Sequence, residues 1–413
     1  MRFFVTCARG TEGPLRRELV NLRIRGPRGA EGGVSFEGRL SEALAVCLHS
    51  RVAMRVLLEI GDGPLITESA DALYEGVRAL PWADHLNAKA TLAVSATVRD
   101  NPALAHSGFA ALKVKDAVVD ALRDRFGTRP NVDVRDPDVP IVLHVRGLEA
   151  RLFLDLSGEP LHRRGYRVAM TEAPLKENLA AAILSLCDAD PERPFFDPMA
   201  GSGTFAIEQA LRARKLAPGL NRRFAFERWP DQTPAGDWAR LQEAARAMAL
   251  PQAPAPIFAR DISPAAVEAT KRNASAARVL ADLRCEVGTL TSASPPAATG
   301  TLLTNPPYGQ RLIGDDDAPA PTAERARPGA LYARPSGPAR PARGPRAAPD
   351  ESSADLAVIY RELAAALQRF EAWNLAVFSG NPLFSRIFLR KADISHRLWN
   401  GPLETRLLVF RPR

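Results

Sequence analysis

The run Asn305-Pro306-Pro307-Tyr308 follows a short apolar stretch, Thr301-Leu302-Leu303-Thr304. An amide oxygen and a prolyl carbonyl can accept both hydrogens of an exocyclic NH2, and the tyrosine offers a flat face to the ring that carries it. That combination suits methylation of a planar nitrogen, whose delocalised lone pair must be freed and aimed. No strong general base is required, because the proton becomes acidic only as the methyl transfers. A stiff Pro-Pro turn with Tyr308 as ordinary packing is the competing account of the same residues.

A second group lies upstream, where Phe195-Phe196-Asp197-Pro198-Met199-Ala200-Gly201-Ser202-Gly203-Thr204 reads as a strand, a glycine turn and the start of a helix. Gly201 and Gly203 let a ligand approach the backbone, and Asp197, followed by Pro198, supplies an acceptor for an ammonium group. With Thr204 opening the helix, the turn fits the methionine part of S-adenosylmethionine. Gly201 to Ala206 also satisfies the looser dinucleotide fingerprint GxGxxA. Two features argue against a pyrophosphate: an acidic residue opens the turn, and the strand ending at Asp261 arrives far beyond the usual distance of about 20 residues. Asp261 is placed to accept from two ribose hydroxyls, and also to cap a helix over 264–277 whose first turn holds Pro264.

These groups need a scaffold that presents strand ends side by side. From about residue 176 strands and helices alternate, as in a parallel wound sheet: helix 176–187, strand 194–197, helix 203–213, strand 257–260, helix 264–277, strand 301–304, helix 354–370 and strand 375–378. Runs 394–398 and 405–410, joined through Asn400-Gly401-Pro402, predict a closing antiparallel hairpin. The N-terminal third mixes short strands and helices, with Thr11 placed to cap a helix running to about Leu22. Residues 157–175 read as a linker carrying His162-Arg163-Arg164-Gly165-Tyr166-Arg167, on its own a solvated turn. Residues 314–353 hold eight prolines and no apolar periodicity, which predicts a disordered insertion.

The 413 residues, 46% of them hydrophobic, suffice for two or three domains with their own cores. Four scattered cysteines form no CxxC pair and six histidines no ligand pattern, so neither disulfides nor a metal site is expected. The apolar run at the start is too short for a signal peptide, and no stretch reaches the roughly 20 residues of a membrane span, so a cytoplasmic location is expected. The net charge of +8 is uneven: residues 356–413 carry nine Lys/Arg against four Asp/Glu. That favours a polyanionic partner only modestly.

Taken together, the motifs resemble the THUMP-domain class I RNA methyltransferases, and among them the catalytic half of bacterial enzymes that methylate guanine N2 in 23S ribosomal RNA. The resemblance rests on Thr6-Cys7-Ala8-Arg9-Gly10-Thr11-Glu12, Ser50-Arg51-Val52, Leu112-Lys113-Val114-Lys115-Asp116, Asp155 to Arg167, Leu175-Lys176-Glu177-Asn178, Asp197-Pro198-Met199, Asn305 to Gly309 and Trp399-Asn400-Gly401-Pro402-Leu403-Glu404. It implies a ferredoxin-like unit over 1–60, a THUMP domain over 61–156, the linker 157–175, and a Rossmann-like methyltransferase domain over 176–413. It also implies S-adenosylmethionine as cofactor and RNA as partner, with Lys113, Lys115, Arg163, Arg164 and Arg167 on the RNA surface. Departures are the missing acidic residue near Gly288 and Thr289, which is expected to weaken an adenine contact, and Ser263 in place of a second acid. Transfer RNA guanine, DNA adenine or a glutamine side chain remain alternative targets, and a non-catalytic ribosome-assembly factor an alternative role.

Overall fold

The structure, a computed structural model, describes residues 1–87, 89–104, 106–169, 175–229, 235–309 and 351–413. Most of the predicted insertion 314–353, and residues 170–174 of the predicted linker, therefore lie outside the described residues. Among the described residues no helix is long and apolar enough to cross a membrane.

Alternating apolar residues build the first sheet. Its strands β1 (Arg2–Thr6), β2 (Arg28–Ala30), β3 (Gly33–Glu37), β4 (Arg55–Ile66), β5 (Leu92–Arg99), β6 (Val139–Arg146) and β7 (Glu149–Asp155) lie in the order β2-β3-β1-β4-β7-β6-β5. In β6 every second residue, from Val139 to Val145, is buried in one core with Leu73 and Val77 of α3 (Ala70–Arg78) and Val114 and Val118 of α4 (Ser107–Phe126). Only β5 and β6, which α4 connects, are parallel. The two N-terminal units thus share a sheet, because β4 pairs with β1 and then continues along β7 past a register shift between Ile60 and Leu65. Thr11 does not cap α1 (Glu12–Asn21). Its backbone, at φ −107° and ψ 11°, lies outside the extended region an N-cap adopts; its hydroxyl donates instead to Ala8 O at 2.6 Å, and Glu12 turns back to accept from Gly10 N and Gly32 N.

The second sheet holds β8 (Phe195–Asp197), β9 (Ile257–Asp261), β10 (Leu283–Val287), β11 (Thr301–Thr304), β12 (Asn374–Ser379), β13 (Ile394–Asn400) and β14 (Leu403–Phe410), in the order β10-β9-β8-β11-β12-β14-β13. The five strands from β8 to β12 are parallel and the closing hairpin is antiparallel, as predicted. The sequence runs outward from β8 to β9 and β10, then crosses back to β11. That reversal opens a crevice at the carboxyl ends of β8 and β11. One core holds α5 (Glu177–Leu186) and α6 (Thr204–Ala213), through Ile183, Phe205 and Ile207. Another holds α9 (Glu351–Leu367) through Tyr360 and Leu363, with Phe370 and Trp373. Helix α8 (Pro264–Ala276) follows β9 and α10 (Leu383–Ile387) follows β12. Helix α7 (Ala235–Met248), not anticipated from the sequence, belongs with the N-terminal core instead: Trp238 packs edge-on to Phe224 and Phe226 at 5.3 and 5.0 Å, and α7 touches α2 (Leu40–His49).

Buried arginines join the two halves. Arg51, just past α2, donates to Leu211 O and Leu216 O at 3.1 and 2.6 Å, and burial pushes its guanidinium down to about 10. Arg164 donates to Arg51 O and Leu161 O, both at 2.5 Å, and lies 3.6 Å from Glu208 on α6. Its side chain is 3% exposed, so the expectation that Arg164 faces RNA is corrected: the guanidinium is consumed in neutralising Glu208 and satisfying carbonyls inside the joint. Arg164→Ala would leave Glu208 buried without its cation. We expect it to destabilise the fold by about 3 kcal/mol in denaturant melts; unchanged stability with weakened RNA binding would restore the surface role.

Candidate active site

Four strand ends meet at the crevice. β8 ends at Asp197, β9 at Asp261, β11 at Thr304 and β12 at Ser379, and adjacent registers place them along one carboxyl edge. Asp261 bridges two of the following turns. Its Oδ2 accepts from Gly201 N at 2.9 Å and its Oδ1 from Ser263 N at 2.9 Å. The competing role foreseen for Asp261 falls to Ser263, whose hydroxyl accepts from Ala266 N and caps α8 ahead of Pro264. Each Asp261 oxygen keeps a further lone pair for a diol.

The glycine turn is held from behind. Gly203 has φ +83°, and a Cβ there would lie 2.6 Å from Thr270 Cγ2, so both backbone and space require glycine. Thr270 Oγ1 donates to Gly201 O at 2.9 Å, and Asn273 Nδ2 donates to Ser202 O at 3.0 Å. Arg167 completes the support: it donates to Glu177 and Leu175 O at 2.9 Å, and reaches Ser202 Oγ and Thr204 Oγ1 at 3.3 Å. Arg167 therefore stands beneath the cofactor-type turn rather than on an RNA surface, which corrects the second of the linker arginines. Arg163 does stay at the surface, beside Glu159 at 3.3 Å. Lys113 and Lys115 sit on α4, beside Asp71 at 3.2 Å and Asp116 at 2.6 Å.

Asp197 is 1% exposed and accepts one hydrogen bond, from Met199 N at 3.1 Å. Among the described residues no lysine or arginine pairs with it. Burial, and secondarily the Asp261 charge, push its carboxyl up to about 8, against the lowering effect of the Met199 N–H. A buried carboxylate without a cation is costly, and a ligand ammonium is the group that would relieve it. The donor set thus fits an amino-acid end at Asp197 and Pro198, a backbone approach at Gly201 and Gly203 beside Thr204, and a diol at Asp261. Beyond β10 no acid takes the position near Gly288; Arg260 fills that space, held by Glu286 at 2.6 Å.

The Asn305 loop is clamped by neighbours the sequence reading did not single out. Tyr308 donates its hydroxyl to Asn305 Oδ1 at 2.6 Å, and Asn381 Nδ2 donates to Tyr308 O at 3.0 Å. Tyr360 on α9 donates to Pro307 O at 2.8 Å. The Tyr308 ring is half-buried, edge-on to Phe378 at 6.4 Å, and packs so tightly on Gly380 that a Cβ there would lie 3.0 Å from it. Among the described residues the Pro306 carbonyl takes no protein donor. Asn381 was findable, since Ser379-Gly380-Asn381 leaves a predicted strand at the same edge; Tyr360 and Arg167 gave no such signal.

Comparison with known proteins follows this architecture segment by segment. The RlmL ferredoxin-like domain pattern matches residues 2–57, the THUMP domain pattern 67–155, and the RMKL-like methyltransferase domain pattern 164–318. A putative RNA methyltransferase of Synechocystis is 32% identical over 410 residues, covering 99% of this chain and 96% of that one. The chain belongs to the THUMP-domain class I RNA methyltransferases. A ribosomal RNA large subunit methyltransferase K/L of Syntrophotalea carbinolica is 40% identical over 425 residues, covering 99% of this chain and 53% of that protein. The chain thus spans about half the length of the large-subunit relatives it matches. A putative methyltransferase, SMU.472, solved in complex with SAH, superposes with a TM-score of 0.82 at 27% identity, covering 100% of this chain and 98% of that one. A predicted N6-adenine-specific DNA methylase from Listeria monocytogenes does so with 0.82 at 28% identity, covering 100% and 96%.

Arg167→Ala would free the hydroxyls of Ser202 and Thr204 from behind the turn. We expect SAH affinity, measured by calorimetry, to fall about tenfold, the loss of one or two charge-assisted hydrogen bonds. Arg167→Lys should recover little of it, since an ammonium cannot span the same four acceptors. Retained SAH affinity with reduced RNA binding would return Arg167 to the RNA surface.

Proposed function

We propose that this chain transfers a methyl group from S-adenosylmethionine to the exocyclic N2 amine of a guanosine in large-subunit 23S ribosomal RNA. The observation that carries the reading is the placement of the Asn305 loop on the same carboxyl edge as the Asp197 and Asp261 turns, in a chain preceded by a THUMP segment. The large-subunit names of the relatives support ribosomal RNA as the substrate. In this reading residues 1–60 and 61–156 position RNA, 157–175 links them to the catalytic unit 176–413, and β4 crosses the first boundary as a shared strand.

Asp197 with Pro198 would hold the ammonium end of the cofactor, Gly201, Gly203 and Thr204 its amino-acid and sulfonium region, and Asp261 its ribose. Bound there, the cofactor supplies an electrophilic methyl group on sulfur. Asn305 Oδ1 carries two lone pairs, so it accepts a substrate N–H while keeping the Tyr308 hydroxyl. The Pro306 carbonyl accepts the other N–H. Two acceptors at one nitrogen favour a pyramidal amine and turn its lone pair outward. Reaching that amine in folded RNA requires the base to leave its stack, and Tyr308 then meets its ring.

The reading is tested by methyl transfer to undermodified large-subunit RNA, transfer RNA and DNA, with nucleoside analysis of the product. N2-methylguanosine in the ribosomal RNA supports it; N6-methyladenine in DNA, or label in transfer RNA alone, replaces the target. Asn305→Ala should abolish transfer while SAH still binds, and equal turnover would remove Asn305 from the chemistry. Tyr308→Phe, which keeps the ring and frees Oδ1, should lose far less than Tyr308→Ala, for which a base-stacking loss of roughly 1–3 kcal/mol predicts about 10- to 100-fold.

Asp197 also sets a pH dependence. Its free carboxyl is protonated below about 8, and a bound ammonium lowers that value, so binding releases a proton near neutrality. Affinity is therefore full above pH about 8 and falls as pH drops through it. Calorimetry in buffers of different ionisation enthalpy should show this release in the native protein and not in Asp197→Asn; identical proton counts would sink the assignment.

A further inference from the structure

The closing hairpin carries a feature that methyl transfer itself does not use. β14 pairs with β12 so that Arg406 stands opposite Ser379, the last residue of β12. Residues 399–405 therefore project past the carboxyl edge, beside the Asn305 loop. Gly380 shows how close they come: a Cβ there would lie 2.8 Å from Leu403 Cδ2 and 3.0 Å from Tyr308 Cδ2. On the hairpin Arg397 faces Arg406 and Trp399 faces Glu404. By strand alternation these four share one side, while Leu398 and Thr405 are buried on the other.

The N-terminal unit adds a third arginine. Gly10, at φ +88°, lies so near β13 that a Cβ would be 2.5 Å from Arg397 O. This contact lays exposed Arg9 over Trp399, with its Cζ 4.2 Å from the ring centre; Arg397 lies 5.0 Å from the same ring. Arg397 is ion-paired with Glu404, and both remain largely accessible. The Arg397 hydrogen bond first, then the charges of Arg397, Arg406 and Arg9, hold the Glu404 carboxyl below its usual range. Arg406 has no ion pair among the described residues. Two arginines directly opposite each other disfavour strand pairing; Glu404 offsets Arg397, which leaves Arg406 as the cation of the pair without an anion of its own among the described residues. A guanidinium stacked on an indole is preorganised, with its N–H fork left for a phosphate.

We propose that Arg9, Arg397 and Arg406, ordered around Trp399, form a phosphate-binding ledge for the RNA strand that carries the target nucleotide. The inference rests on the RNA reading above. The hairpin that carries the ledge borders the Tyr308 loop through Leu403, on the hairpin's other side, at Gly380; an extruded nucleotide leaves its flanking phosphates at the rim of the crevice. The charge of the ledge suits that backbone, and the surface needs no base-specific contact to grip it.

The test is the variant Arg9→Glu/Arg406→Glu, assayed on undermodified large-subunit RNA across a salt series. We expect KM for RNA to rise at least about tenfold, and the log–log salt slope of binding to become shallower by about 1.4, roughly 0.7 for each lost single-strand phosphate contact. The kcat and SAH affinity should stay at native values. Trp399→Ala should match the loss of Arg9→Ala alone, whereas Trp399→Phe, which keeps a flat platform, should retain most of the affinity. Should charge reversal unfold the hairpin, seen as lost SAH binding, Arg9→Gln/Arg406→Gln reports the same change in slope. Unchanged KM and slope in variants that still bind SAH overturn the ledge. If the native protein neither binds nor methylates any RNA, the RNA reading itself falls, and the ledge with it.

Discussion

One carboxylate ties the catalytic edge together. Asp261 accepts from Gly201 N after β8 and from Ser263 N after β9, both at 2.9 Å, so two separate strand-end turns are fixed to a single side chain. Each turn then serves a different helix: Gly203 leads into α6 and Ser263 caps α8. The helices return the constraint, because Thr270 and Asn273 on α8 reach back to the carbonyls of Gly201 and Ser202. This closed loop of hydrogen bonds leaves the glycine turn little freedom before any ligand arrives, which is the condition for binding without an ordering cost.

The same helix carries the constraint away from the crevice. α6 begins at the glycine turn and, one turn later, presents Glu208 to Arg164 and to the Tyr166 hydroxyl at 3.1 Å. Arg164 holds Arg51 O, and Arg51 in turn grips Leu211 O in the last turn of α6 and Leu216 O beyond it. The N-terminal sheet is thereby fastened to the helix that supports the cofactor-type turn. A second contact between the halves is Gly10 resting on β13. The first sheet is thus held in fixed register with the catalytic half that carries the Asn305 loop.

Backbone architecture was largely legible in the sequence, and side-chain destinations were not. The strands ending at Asp197, Asp261 and Thr304, and the hairpin turning at Asn400-Gly401-Pro402, announce themselves through short apolar runs bounded by turn residues. The linker arginines show the limit. Arg163, Arg164 and Arg167 look alike in sequence, yet only the first is solvated, because the fates of the others depend on Glu208 and Glu177, which lie far along the chain or on the next helix. Thr11 fails as a cap for a similar reason: Glu12 finds Gly32 N, 20 residues away, and takes over the turn. The run Ala235–Met248 escaped notice because Trp238 is its main anchor, and the Phe224 and Phe226 partners that bury it lie in another segment.

The Asn305 loop is best understood by counting its acceptors. Pro307 O is taken by Tyr360, Tyr308 O by Asn381, and one lone pair of Asn305 Oδ1 by the Tyr308 hydroxyl. Among the described residues, the Pro306 carbonyl and the second lone pair of Oδ1 take no protein donor. An exocyclic amine has two hydrogens, and a ring nitrogen or a ribose hydroxyl presents at most one. The clamps therefore do more than stiffen a proline turn. With Pro307 O and Tyr308 O taken, the Pro306 carbonyl and the second Oδ1 lone pair are two acceptors whose number matches an NH2 group, beside a Tyr308 ring held against Phe378 and Gly380.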